Sequence, residues 1–98
     1  MTYLDADAEL IQSYLPEGTH VPKDSSDLFV LYAVLMRAKG EDTQGADVHD
    51  AWSAWKSRSE PDHESIRPYD QLSPSVRKED APFLAAIHSA ARAQARRR

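Results

Sequence analysis

The 98-residue chain contains no cysteine and no asparagine, only three glycines, and no apolar run longer than nine residues. Without cysteine there is no disulfide framework, no zinc–thiolate site and no thiol nucleophile. The longest apolar run is "LFVLYAVLM", Leu28 to Met36. A bilayer span needs about 20 such residues. The first residues, "MTYLDADAEL", are acidic, which argues against a signal or transit peptide and sets an intracellular, cytoplasmic expectation. Strand-like alternation is missing, as are internal repeats and low-complexity tracts. So are the motifs G-x-S-x-G, G-x-G-x-x-G, H-E-x-x-H and the P-loop. Four histidines, His20, His49, His63 and His88, are scattered, and none pair at i, i+4. Nothing in the sequence therefore calls for a metal or another cofactor.

Charge is unevenly spread. Residues 1–70 carry fourteen acids and six bases; residues 71–98 carry six bases and two acids. An acidic body argues against nucleic acid as partner, because phosphate neutralisation needs a positive face. The basic tail at 95–98 reads as a solvated helix end. Fourteen alanines, eight arginines, four lysines and no asparagine suggest a high-GC source, such as an actinobacterium or one of its phages.

What is present is helical periodicity. Leu4, Ala8, Ile11 and Leu15 form a stripe, with Thr2 and Asp5 as a capping pair and Pro16 and Gly18 as the stop. Asp24 to Lys39 reads as the central, most buried helix, with Asp24 or Ser25 as cap and Gly40 beyond its end. A third helix runs from about Asp47 to Ser57 and carries Val48, Ala51, Trp52 and Trp55 on one face. Ser73 caps a short helix with Pro74 at its first position. Asp80 caps a last helix whose inward face is Phe83, Ile87, Ala90 and Ala91, fraying into "QARRR". The fold expected is all-α: a compact single domain, residues 1–98, of four main helices plus a short one. A Pro-rich ordered linker, with room for a tiny β-hairpin, joins helices 3 and 4. An N-terminal half would span 1–40 and a second half 46–94.

The linker "HESIRPYDQLSPSVRKEDAPF" holds three of the six prolines. Proline restricts itself and its predecessor, so ordering this segment costs less entropy. Ile66, Tyr69 and Leu72, spaced by three, can face one way and cover Trp52 and Trp55.

From Val48 to Ile87 the chain resembles the ryanodine-receptor-type repeat. His49, Asp50 and Trp52 match its opening; His63, Ile66, Pro68, Tyr69 and Leu72 its middle; Lys78, Asp80 and Phe83 its end. The segment between the halves is short here, Ser57 to Asp62, which reduces any pocket built on it. The longer pattern resembles small proteins of actinobacteria and their phages. The resemblance implies a helical fold and either scaffolding or the binding of a nucleotide-like ligand.

Three function classes follow. As an enzyme the chain lacks a recognisable nucleophile, and neighbours such as His49–Asp50 or His63–Glu64 do not face each other on a helix. A non-enzymatic interaction module is the leading expectation, docking a host or phage protein or a second copy as a homodimer. The alternative is a small nucleotide-like ligand. Both use the same candidates: Trp52, Trp55 and Tyr69 as stacking faces, Arg67 as an anion clamp, and His49 and His63 as polar rim. Each has a plainer role as core, tether or solvated surface.

Overall fold

The computed structural model describes residues 1–97; Arg98, the end of the basic tail, lies outside them. Five helices follow one another: α1 (Tyr3–Ser13), α2 (Ser26–Lys39), α3 (Gly45–Lys56), the single-turn α4 (Pro74–Arg77) and α5 (Ala81–Arg96). This is the all-α single domain of four main helices and a short one. No strand occurs among the described residues, so the tiny hairpin between α3 and α4 is not formed. Instead, tight turns such as His63 N–H to Glu60 C=O and Ile66 N–H to His63 C=O lead into a 3-10 turn at Tyr69–Gln71.

Local chemistry explains the helix starts. At α1 the Asp5 carboxylate accepts from the Thr2 N–H at 2.7 Å while Thr2 Oγ1 accepts from the Asp5 N–H. The Thr2 N–H, with the Thr2 hydroxyl donating beside it, holds the Asp5 carboxyl below its ordinary range. Helix α3 begins two residues before the cap read from sequence. Asp47 sits inside its first turn, accepting from the Gln44 N–H at 2.8 Å and from Lys39 Nζ. Ser73 Oγ caps α4 with Pro74 at its first position. At the far end α5 does not fray into the tail but stays helical through Arg96.

The core is built where four helices meet. Ala8 and Ile11 of α1 meet Leu28, Phe29, Tyr32, Ala33 and Met36 of α2. Val48 of α3 and Phe83, Ala86, Ile87 and Ala90 of α5 complete it. Phe29, Tyr32 and Phe83 form an aromatic triangle with centroid separations of 5.5, 6.2 and 5.8 Å. Helix α2 is the central element, as its composition predicts, but it is not covered all round. Val34 is 47% exposed. Beyond the core, His88 Nε2 donates to the Thr43 carbonyl at 2.8 Å and ties α5 to the α2–α3 connection.

Candidate functional site

Where α2, α3, the linker and the start of α5 converge, they leave a cavity of about 570 Å³. Its apolar wall includes Leu28, Trp52, Pro82 and Phe83, and its polar groups include Tyr32, His49, His63, Lys56, Glu79 and Asp80. Concave, mostly apolar sites of a few hundred cubic ångströms with a few converging polar groups are the usual form of a small-molecule site.

His49 organises this region. It is 2% exposed on the inward face of α3. Its Nε2 lies 2.8 Å from the Arg67 carbonyl oxygen, which can only accept, so Nε2 carries a proton and donates it. The other nitrogen, Nδ1, faces Asp80 Oδ2 at 3.6 Å, an ion-pair separation. Trp52 stacks on the imidazole at 5.5 Å and 24°, and Tyr69 leans against it at 6.2 Å. His63 meets Trp52 edge-on at 5.3 Å, and its Nδ1 accepts from the Ser65 N–H at 3.0 Å. The linker thus covers α3 as its prolines suggest, but through His63 and Tyr69 rather than over both tryptophans. Gly45 permits this closure: a Cβ there would stand 2.6 Å from the Tyr69 hydroxyl.

Asp80 departs from its expected role. Its side chain makes no cap hydrogen bond to α5, because Lys78–Asp80 form a 3-10 turn that runs straight into the helix. The carboxylate turns to His49 instead. Burial pushes the Asp80 carboxyl up to about 6 from its ordinary 3.8, with His49 opposing the rise and Glu79 adding to it. Burial, reinforced by the Asp80 charge, also holds the Tyr32 phenol protonated well above its ordinary range.

A pH signature follows. A raised folded-state pKa means that the folded protein holds this proton more tightly than the unfolded chain. The stability it contributes is complete below about pH 3.8 and is lost as pH rises through about 6. Asp80→Asn removes that loss, since its amide has no proton to lose in this range and can donate to an unprotonated His49 Nδ1. Solvent in the cavity screens much of the charge, which leaves an effect of about 1 kcal/mol. The variant is therefore expected to melt about 4–8 °C above wild type at pH 7 and to converge with it near pH 4. Thermal denaturation by circular dichroism at both pH values checks this; a difference that does not depend on pH contradicts it.

Of the six residues singled out from sequence, His49, Trp52 and His63 line the cavity. Tyr69 supports His49 from behind. Trp55 packs partly against the core and lies beneath Lys56 Nζ, 5.8 Å from its ring. Arg67 is exposed and contributes its backbone carbonyl. The arginine that grips the linker is Arg77, whose guanidinium donates to the carbonyls of Tyr69 and Asp70 at 3.1 and 2.8 Å. Tyr32, Lys56 and Asp80 did not stand out as site residues. One signal was present: a phenol inside an otherwise apolar run is a polar group that needs an outlet. Among the described residues no group of three or more His, Asp or Glu side chains is arranged to hold a metal ion. None of the helices of the described residues is long and apolar enough to cross a membrane.

No curated protein and no solved structure matches the chain. One family model matches residues 2–92, nearly the whole length, and its description is "Domain of unknown function (DUF7701)". That match overturns the resemblance to ryanodine-receptor-type repeats, which rested on about forty residues and is not borne by any family model. The motif residues have local explanations in this fold: His49 is a tether, Asp80 faces it, and Phe83 fills the core. The chain belongs to the DUF7701 family.

Proposed function

We propose that this DUF7701 member is a non-enzymatic binding module whose recognition element is the cavity beside Trp52. Its occupant would be a small, flat, largely apolar heteroaromatic molecule. The observation that carries this reading is an indole wall next to two polar groups, Tyr32 and Asp80, that a small domain could otherwise have packed shut. Nucleobase- or nucleoside-type molecules fall in this class. The phosphate clamp of a full nucleotide has less support, since the Arg67 guanidinium is not among the lining groups. The non-enzymatic reading is supported by His49, both of whose nitrogens already face protein partners, leaving neither to take a substrate proton. With a high-GC source, an actinobacterium or its phage, the setting would be the cytoplasm, that of the host if phage-encoded.

The test has two parts. Native mass spectrometry of gently purified protein should show a small-molecule adduct that is lost on denaturation. In a Trp55→Phe background, where Trp52 is the sole indole, flat heteroaromatics should quench its fluorescence. A fragment of ~10 non-hydrogen atoms at about 0.5 kcal/mol per atom gives Kd near ~0.2 mM. A bare protein mass together with no quenching across the panel would sink this reading.

Docking of a protein partner or a second copy is a second reading. It is favoured by exposed apolar side chains on the α1–α2 side, Tyr3 at 64%, Val34 at 47% and Tyr14 at 40%. Light scattering over a concentration series separates self-association from ligand binding.

A further inference from the structure

Within the binding reading above, on which it rests, the polar atoms of the cavity select the charge of the occupant. Tyr32 is 1% exposed, yet its hydroxyl makes no hydrogen bond to the described protein. It is not sealed inside either, because no buried polar side-chain atom among the described residues lacks a partner. Part of the little surface it keeps is therefore at its hydroxyl, and the side chain lines the cavity. A tyrosine buried this deeply with a free O–H is a group placed for a ligand or solvent rather than for the fold.

Asp80 supplies the second contact. Its Oδ2 faces His49 Nδ1, whose ring proton is fixed on Nε2 by the Arg67 carbonyl. His49 Nδ1 thus takes up Oδ2, and Oδ1, which has no protein donor among the described residues, is left as an acceptor.

The lining carboxylates are opposed by one lysine that is already engaged. Glu79 and Asp80 both line the cavity. The lining lysine, Lys56, is held by Glu60 at 3.0 Å; the other basic side chains of the wall are His20, His49 and His63, and no arginine takes part. The Trp52 face also favours a cation.

We propose that the occupant is a flat aromatic cation bearing N–H donors, of the amidine or protonated amino-heterocycle class. Its N–H edge is received by Asp80 Oδ1 and the Tyr32 oxygen, and its ring lies on Trp52. Anionic ligands of the same shape are excluded by Asp80 and Glu79.

Benzamidine, benzamide and benzoate share one shape and differ in charge. Calorimetric titration of the full wild-type chain at pH 7 should give benzamidine a Kd at least tenfold lower than benzamide, with benzoate unmeasurable. Asp80→Asn should bring the benzamidine-to-benzamide ratio toward one. Tyr32→Phe, which keeps the buried ring and serves if Asp80→Asn folds poorly, should weaken benzamidine several-fold. Benzoate binding as tightly as benzamidine, or equal affinity for all three, would overturn the cation assignment while leaving the cavity a binding site. So would neutral heteroaromatics quenching Trp52 when benzamidine does not bind. If no flat molecule of any charge binds, the binding reading falls as well.

Discussion

His49→Ala is expected to lower the stability of the fold by about 3 kcal/mol and to loosen the linker. Three losses add up at this one position. The Arg67 carbonyl loses its donor, at roughly 1 kcal/mol for a buried group left unpaired. The imidazole's contacts with Trp52 and Tyr69 disappear, at about 0.5–1.5 kcal/mol for aromatic pairs. A ring-sized void opens on the inner face of α3, with the additional cost that cavities carry. Against a total stability of about 5–15 kcal/mol this is a large fraction. The melting temperature should fall by roughly 12–24 °C for a domain of this size. Hydrogen exchange adds a positional readout: amides at 65–72 should lose protection while those of α2 keep theirs. His49→Gln, which can still donate to the Arg67 carbonyl, should recover part of both. A loss under about 1 kcal/mol, or uniform loss of protection, would show that His49 is ordinary filling rather than the linker's tether.

Asp7→Ala is expected to cost about 2–3 kcal/mol by a different route. Asp7 is 5% exposed on α1. One carboxylate oxygen accepts from Arg37 Nε of α2, and the other accepts from Gln94 Nε2 of α5 at 2.6 Å. A single side chain thus joins three helices. Removing one member of a buried charged pair commonly costs about 3–5 kcal/mol. Here Arg37 is 38% exposed and also lies 4.6 Å from the Tyr3 ring, so water and Tyr3 compensate part of its loss. Urea denaturation should show a lower midpoint with an unchanged slope, since the surface exposed on unfolding is the same. Arg37→Ala and the double variant close a cycle; its coupling energy should exceed about 1 kcal/mol if the pair acts as a unit. Independent effects would contradict the three-helix tie.

The two variants mark a division between what neighbouring residues encode and what they do not. Helix positions were legible because they rest on contacts within one or two turns. Thr2 with Asp5 and Ser73 with Val76 are bonds across three residues, visible as short motifs. The stripe Leu4, Ala8, Ile11 predicts its own burial, and Phe83 and Ile87 predict theirs. The starts of α2 and α3 were less clear because Asp24, Ser25 and Asp47 are all short polar residues that favour caps. Asp24 takes φ 53° before the helix, and Asp47 sits inside the first turn.

The cavity was legible only in part. Trp52, His49 and His63 stood out as aromatic and titratable groups near the linker, and α3 and the linker bring them together. Trp55, three residues from Trp52, shares much the same helix face, so periodicity could not separate the indole that lines the cavity from the one that does not. Arg67 drew attention by its charge but acts through its carbonyl, which every residue has. Asp80 read as a cap because a short acid before a helix ordinarily is one.

By itself, then, the sequence determined the all-α class, the helix positions and most of the inward faces, because those depend on bonds and periodicities within about a turn of each residue. Tertiary structure alone decided that Asp80 faces His49 across 31 positions, that Asp7 meets Gln94 across 87, and that Tyr32 lines a cavity. Those pairings depend on how finished helices pack, and packing directions are fixed by the whole core at once.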